Sequence, residues 1–384
     1  DGPVAGRRAR GAIELSCRQV NDALESRRAA LGWDGGFLMV RGAPLAHEFL
    51  RHDTRGADLQ HATLTAEAFQ RLLDPVWGGV FVAGREAEGG FQVIAEKRVL
   101  HNAAALLAFA RLHALHGDPG SRQAAEEVHR YVAEWMTAPD GTFYATQEDD
   151  EPVLPSGVSA ADYYALPDAE RRAMGIPPID HAVYTDLNGR MIEAYANAYI
   201  VLRDPRYLDA ARRATETLLQ DRVGTDGWIR QTARTEAVAS DDRMRAFDAG
   251  TGGPYLASQA WMLVAALAVY DATLEPVFLD AAKRIADASL AALRHERGGL
   301  VGAPADPSTE RLAARFPVED NAGMARGLVR LAAFTHEDRY RTEAERILRA
   351  VAPPGALVRR GANVQGEAAL AFEHLLLGPL EVSI

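Results

Sequence analysis

Apolar and polar positions alternate between two textures along this chain. Four stretches are apolar around most of their circumference: Glu96 to Leu115, Leu187 to Leu202, Leu256 to Tyr270, and Gly323 to Phe334. That pattern predicts helices enclosed by protein. A tight turn follows each one, HGDPG at 116, RDPRY at 203, TLEPVF at 273 and HEDRY at 336, where Pro or Asp stops one helix and starts the next. Beyond each turn comes a charged stretch such as YLDAARRATETLL or FLDAAKRIADASL, with Leu, Ala and Ile recurring at three- and four-residue spacing. Those residues predict helices solvated on one side.

Glycine motifs punctuate the same period: WDGGF at 33, WGGVF at 77, DGTFY at 140, DGWI at 226, RGGLV around Gly298, and PGALV at 354. Glycine just past a helix accepts the left-handed conformation that satisfies terminal carbonyls, and the residues after it form a short extended segment. Six such hairpins, with short inner-to-outer turns and long return loops, predict an all-α fold. It is an (α/α)6 toroid with short β-like segments in the loops, closed when the helix from Gln365 to Leu377 meets the first hairpins. The expectation is a single toroid domain over 1–384. Its first repeat, about 1–65, reads as degenerate because Gly35 to Thr63 is polar and broken by Pro44. A proline-rich insertion over 149–178 reads as a loop wrapping one rim.

The composition narrows the function classes. With 384 residues and 48% hydrophobic content, the chain can bury a sizeable core. A net charge of −11 without a basic stripe argues against nucleic-acid binding. The single cysteine, Cys17, allows no internal disulfide and no C-x-x-C, and in an amphipathic helix it reads as a small core residue. The most apolar run, Ala260 to Tyr270, is shorter than the roughly 20 residues a bilayer span needs, so no transmembrane segment is expected. Asp1 stands where an initiator Met would, so the chain reads as a processed product or a piece of something longer.

In such a ring the inner-helix N-termini and the long loops surround a cavity, and that geometry selects the candidates. Glu96, Lys97, His101 and Asn102 are expected to open the second inner helix, Asp186 and Asn188 the third, Asp320 and Asn321 the fifth, and Glu367 the sixth. Glu319 belongs with the fifth and Gln365 with the sixth, and the loops add Glu148, Asp149, Asp150, His181, Tyr184, Trp228 and Asp248. The bland alternative for Asp186, Asp320 and Glu367 is helix capping, worth about 0.5 to 2 kcal/mol. Asn102 and Asn188 sit in apolar helices and need hydrogen-bond partners, so they face the cavity or tie helices together. His113 and His116 lack further ligands at metal spacing, and His47, His52 and His61 read as surface residues. The glycine pairs lack the strand-then-helix context of a phosphate loop, and no G-x-S-x-G exists. Neither a metal nor a cofactor is expected.

These inner-helix motifs resemble the helical toroid of the thioredoxin-domain YyaL-like proteins, which include the spermatogenesis-associated thioredoxin-like proteins of animals. LLDPVWGGVF followed by AEKRVLHNA is similar to that family's D-x-x-x-G-G loop and F-E-K-M-L-Y-D-N-A, with Glu96, Lys97, Asn102 and Ala103 matching. FYATQEDD at 143–150 resembles F-Y-S-A-x-D-A-D, and TDLNGRMI at 185–192 resembles S-W-N-G-L-M-I, so the similarity covers roughly residues 65 to 340. The resemblance implies a six-hairpin toroid related in shape to sugar epimerases and glycoside hydrolases, and a cytoplasmic location. An extracytoplasmic one follows instead if Asp1 succeeds a cleaved signal. The family's thioredoxin-like domain has no counterpart here, and its acids in the fourth inner helix are replaced by Ala257 and Ser258.

Two functions follow. The losses favour a non-catalytic toroid acting as a binding or accessory subunit of a protein assembly. The alternative is a carbohydrate-active enzyme with its site in the ring. An inverting hydrolase would draw two acids from Glu96, Asp150, Asp186, Asp320 and Glu367, and an epimerase or isomerase would use His101 and His181.

Overall fold

In the computed structural model, which describes residues 2–26, 33–34, 36–40, 42–44, 46, 56–88, 90–148, 158–232, 255–304 and 316–378, helices alternate between an inner and an outer ring. The inner helices are α3 (Val99–His116), α7 (Thr185–Leu202), α9 (Leu256–Thr273), α11 (Val318–Thr335) and α13 (Ala362–Leu377). The outer ones are α1 (Gly2–Glu25), α2 (Gly56–Phe69), α4 (Pro119–Trp135), α8 (Pro205–Arg222), α10 (Pro276–Leu293) and α12 (Asp338–Val351). Each of α3, α7, α9 and α11 packs on the outer helix that follows it and on its inner neighbours in ring order.

The closure differs from a simple run of six hairpins. Helix α1 packs on α12 and α13. It therefore supplies the outer helix of the last hairpin from the opposite end of the chain, rather than opening a weak first repeat. The sixth inner position belongs to the stretch around residues 42–46. Its backbone is wedged between α3 and α13, since a Cβ on Gly42 would lie 2.6 Å from Ala104 Cβ and one on Gly366 would lie 2.4 Å from Pro44 N.

Each of the six glycine motifs supplies a left-handed residue: Gly36, Gly78, Gly141, Gly227, Gly298 and Gly355 all have φ between 76° and 108°. The four inner-to-outer turns use the same conformation at the residue after the inner helix, with Gly117 at φ 65° and the non-glycines Arg203, Leu274 and His336 at 58°, 59° and 57°. Outer helices α4 and α8 are capped by Asp118 and Asp204, whereas the inner helices start without a side-chain cap.

One amide per inner helix fixes the register of the ring. Asn188 Oδ1 accepts from Phe143 N (2.8 Å), and its Nδ2 donates to Phe143 O and to Tyr184 O (2.9 Å each). Asn102 holds Val80 in this way, Gln259 holds Ile229, and Asn321 holds Leu300. Gln365 Nε2 donates to Leu357 O and Val358 O at 2.9 and 3.1 Å. The clamped residue lies two positions beyond the left-handed glycine, and Gln365 reaches one residue further, to Val358. At residue 79 the intervening position must itself be glycine, because a Cβ there would meet the Tyr131 ring at 2.4 Å and Asn102 Oδ1 at 2.9 Å. A buried extended segment thus has its backbone paired by a neighbouring helix instead of a sheet.

The strands are short. β1 (Trp33–Asp34), β2 (Phe37–Met39), β3 (Ala83–Ala87) and β4 (Gly90–Ile94) form one antiparallel sheet in that order, and β5 (Lys97–Arg98), β6 (Thr146–Gln147) and β7 (Ile179–Asp180) form a second. The described part of the 149–178 insertion carries α5 (Ala160–Tyr164) and α6 (Asp168–Met174). Its Tyr163 and Tyr164 pack with Trp77 and Phe81 in a satellite core. Helix α9 is the one described helix long and apolar enough to cross a bilayer, and as the most enclosed inner helix of the ring it is 72% buried.

Candidate active site

Counting from the amide clamp, equivalent inner-helix positions face the lumen in layers about 5 Å apart, the rise of three to four helical residues. The outermost layer comes from the first turns: Asp186 on α7, Ser258 on α9, and Glu319 and Asp320 on α11, with His101 on α3 at the same level. The next holds Arg190, Trp261, Gly323 and Glu367. Below it lie Glu193 and Arg326, and below those Arg111, Arg330 and His374.

The mouth is built by side chains that reach across repeats. Asp320 accepts the Trp261 indole N–H at 3.0 Å, and Asp186 accepts from Gln231 Nε2 at 2.6 Å. Gln231 Oε1 in turn takes the hydroxyl of Ser258. Neither acid is a helix cap, contrary to the bland expectation, and Glu367 lies beyond the first turn of α13 with no capping bond. Trp261 fits because its neighbours are glycine: a Cβ on Gly189 would meet Trp261 O at 2.6 Å, and one on Gly323 would meet its ring at 3.1 Å. The Arg190 guanidinium lies 3.3 Å from the centre of the Trp261 ring, donates to Glu319 at 2.6 Å and stands 3.9 Å from Glu367. Arg326 pairs with Glu193 at 2.5 Å and approaches Glu367 at 3.6 Å. These ion pairs join α7 to α11 and α13, which are not ring neighbours, so they span the lumen and floor the mouth.

Burial sets the charge states. It raises Asp320 to about 6 against the opposing Trp261 hydrogen bond and Arg190, with Glu319 and Asp186 adding to the rise. It raises Glu367 to about 7 despite Arg326 and Arg190. His101 is lowered to about 4 by burial and then by Arg98, and its Nδ1 has no partner among the described residues. At neutral pH the mouth therefore holds a neutral imidazole and two carboxyl groups that give up a proton far more reluctantly than free acids.

The remaining sequence candidates lie elsewhere. Glu96 and Lys97 precede α3 rather than opening it. Glu96 pairs with Arg98 at 2.5 Å, and Lys97 is fully buried away from the lumen. Its ammonium donates to Asp74 (2.7 Å) and Gly78 O (2.9 Å) among the rings of Tyr131, Phe81 and Tyr164. Asn102, Asn188 and Asn321 are fully buried and spent on the clamps. His181 is exposed against the Tyr144 ring at 4.5 Å, and no hydrogen bond or ring contact among the described residues joins it to His101. Tyr184 is buried at the start of α7, Glu148 N donates to Pro178 O beside the small second sheet, and Trp228 sits in the turn after outer helix α8. Asp149, Asp150 and Asp248 lie outside the described residues.

Sequence reading missed Arg190, Glu193, Trp261 and Arg326. The signal was present. Once Asn188, Gln259 and Asn321 are aligned as one repeated position, these four fall two or five residues further on, where a fully enclosed helix has no other reason to carry charge. No group of three His, Cys, Asp or Glu among the described residues could hold a metal ion.

This architecture is similar to solved carbohydrate-active enzymes. The cellobiose 2-epimerase of Spirochaeta thermophila superposes with a TM-score of 0.65 at 14% identity over 94% of this chain and 97% of that one. An unsaturated glucuronyl hydrolase of Bacillus sp. GL1 gives 0.62 at 15% identity over 97% of each chain. A D-mannose isomerase gives 0.62 at 13% identity over 89% and 88%. The fold is an (α/α)6 toroid. At these identities the likeness concerns the fold alone. No family model and no curated protein matches the sequence.

Proposed function

We propose that this chain is a carbohydrate-active enzyme working at the lumen mouth, a glycoside hydrolase in which Asp320 is the proton donor and Asp186 the base. The observation that carries the reading is the environment of Asp320: a half-buried carboxyl, oriented by the Trp261 indole, kept protonated to about pH 6 and electrostatically coupled to Asp186. Asp320 gives its proton to the glycosidic oxygen as the bond to the anomeric carbon breaks. Asp186 takes a proton from the water that attacks that carbon. Inversion requires the two carboxyls to stand roughly 6.5 to 9.5 Å apart across the sugar.

The accessory-subunit expectation rested on the missing thioredoxin-like domain and on the loss of acids at 257 and 258. In the folded ring Ser258 holds Gln231, which holds Asp186, so that position supports an acid from α7 instead of contributing one. The resemblance to the YyaL-like toroid fits the fold and chooses no reaction. A partner protein on one face of the ring is compatible with this reading, and native mass spectrometry of the protein from its source tests for it.

Epimerisation or isomerisation is the second reading, carried by the neutral, half-buried His101 at the mouth, which could remove a proton beside a sugar carbonyl. Incubation with a panel of disaccharides and aryl glycosides, followed by proton NMR, separates the two. Hydrolysis yields a free reducing sugar and its initial anomer, while epimerisation yields a C2 epimer of intact length. Asp320→Asn and Asp186→Asn are each expected to lower hydrolysis at least 100-fold. Full activity in both variants would overturn the assignment.

A further inference from the structure

The floor of the mouth presents hydrogen-bond donors and an acceptor side by side. Arg190 and Glu319 are joined by one bond, Arg190 Nη2 to Glu319 Oε1 at 2.6 Å, and their side chains keep 18% and 32% exposure. Arg190 Nε and Nη1 and Glu319 Oε2 have no hydrogen-bond partner among the described residues, and none of the three is sealed from solvent. Arg190 Nη1 stands 3.9 Å from Glu367, beyond hydrogen-bond reach. The Trp261 indole is not open to a ligand: it is 1% exposed, the guanidinium lies over its face at 3.3 Å, and Asp320 takes its N–H. A ligand therefore meets the edge of a guanidinium held flat by a ring and an ion pair. The cations around this spot are already answered by carboxylates. Arg190 has Glu319, Arg326 has Glu193 at 2.5 Å with Glu367 at 3.6 Å, and Arg98 at the start of α3 has Glu96 at 2.5 and 2.9 Å. Asp186, one turn from Arg190 on α7, is met by the Gln231 amide and by no cation among the described residues.

We propose that the Arg190–Glu319 pair grips two adjacent hydroxyls of an uncharged sugar residue, so that the substrates of this chain are neutral glycosides and not uronides. One hydroxyl accepts from the free edge of the guanidinium while its neighbour donates to Glu319 Oε2, and both bonds are charge-assisted. The pair is well placed for this, because Arg190 lies one helical turn, about 5 Å, from Asp186 and Glu319 is adjacent to Asp320. A sugar whose anomeric carbon lies between the two acids rests its ring on the pair. A carboxylate on that ring would find no free cation on the floor and would lose its hydration beside Asp186 and Glu319, a like-charge contact that selects against it. The inference rests on the reading of the mouth as a sugar site, and it holds whichever reaction takes place there.

Binding separates this from the chemistry. The parent protein is titrated, by calorimetry or saturation-transfer NMR, with the methyl glycosides of glucose, mannose and galactose, with their monodeoxy analogues and with the matching methyl uronides. At least one neutral glycoside should bind, and its uronide should bind about 10-fold or more weakly. Removing either of two neighbouring hydroxyls should cost about 10-fold or more, the loss of one hydrogen bond to a charged group. Glu319→Gln keeps an acceptor for Arg190 and removes the charge. Its melting temperature checks that it folds, and in it the discrimination against the uronide should shrink, which a merely structural role for Glu319 would not produce. A uronide that binds as tightly as its neutral counterpart overturns the proposal, as does unchanged discrimination in Glu319→Gln. Neutral glycosides that bind through the pair but are never cleaved leave it standing and count against the hydrolase, whereas cleavage of aryl uronides in preference to aryl glycosides does the reverse. A mouth that binds none of these sugars refutes both.

Discussion

The indole N–H of Trp261 donates to Asp320 Oδ1 at 3.0 Å and makes a residue of the most apolar helix part of the mouth. One carboxylate oxygen is occupied by this bond, which leaves the other to carry a transferable proton. The bond stabilises the charged form of Asp320 against burial. Trp261→Phe keeps a ring for Arg190 to stack on and removes the donor. The carboxyl should then titrate above about 6, moving the alkaline limb of the pH–rate profile to higher pH, since activity is lost when the donor ionises. A carbon-13 titration of the labelled carboxyl gives the same reading without substrate. An unmoved or lowered titration would sink this account of the pair.

Glu367 gives a stability prediction with a definite sign. Its folded value, about 7, lies above the ordinary 4.5. The native state therefore binds the proton more tightly than the unfolded chain does, and stability falls as pH rises from about 4.5 to 7. Glu367→Gln removes the titration and keeps the shape. Near pH 5 it should be close to neutral. By pH 8 it should stabilise by up to about 3 kcal/mol, from 1.36 kcal/mol per pKa unit. Urea melts at the two pH values check this, and a pH-independent loss of stability in the variant would contradict it.

The amide clamps are costly side chains to remove. Asn188→Ala orphans both backbone groups of Phe143 in a fully buried site, at about 1 to 3 kcal/mol for each unsatisfied group. Asn197, on the same helix, makes one bond to the Glu193 carbonyl at 2.8 Å from a half-buried position, and its replacement by Ala should cost less than about 1 kcal/mol. Equal losses in chemical denaturation would show that the clamp is ornamental.

This contrast explains how much was legible in the sequence. Helix alternation, the glycine turns and the toroid were readable because each follows from local periodicity and backbone chemistry repeated around the ring. The clamps were half readable: a buried Asn announces that it needs partners, but not that they lie on the backbone of the preceding turn. Closure of the C-terminal helix onto the start of the chain was readable too, but not the place of α1 as the outer helix of the last hairpin, which joins residues more than 300 positions apart, as in the bond from Asn21 to Glu373. The mouth was misassigned where chain order misleads. Glu96 and Lys97 are near His101 in sequence, yet a strand end points Lys97 away from the lumen, while Arg190 and Glu319 meet from separate repeats.

The inner-to-outer turns hold a simple reserve of stability. Leu274 sits at φ 59° with its side chain 70% exposed, so it bears the steric cost of the left-handed conformation, roughly 1 kcal/mol, with little packing to offset it. Leu274→Gly should raise stability by about 0.5 to 1 kcal/mol, less the extra entropy glycine gives the unfolded chain. Thermal melts of the variant decide it, and a clear loss would mean that Leu274 packs more tightly than its exposure indicates.

The charge triad beneath the rim insertion should respond asymmetrically to its own removal. Asp74, Lys97 and Arg171 are each buried to within 1% of complete enclosure, with two cations on one carboxylate. Arg171 comes from α6 and binds Asp74 through both terminal nitrogens, tying the insertion to the ring. Removing the anion leaves two buried cations together, so Asp74→Asn should cost about 3 to 5 kcal/mol. It should also expose the 149–178 segment to limited proteolysis. Removing Lys97 instead leaves a neutral bidentate pair in an aromatic pocket suited to an apolar chain, and burial already lowers that ammonium to about 8. Lys97→Met should therefore be near neutral at pH 7, within about 1 kcal/mol, and relatively less favourable as pH rises from about 8 to 10.5. Over that range the parent protein sheds the buried charge that the unfolded chain still solvates, so its own penalty is relieved. If Lys97→Met proved as damaging as Asp74→Asn, the lysine would be holding the satellite core by more than its charge.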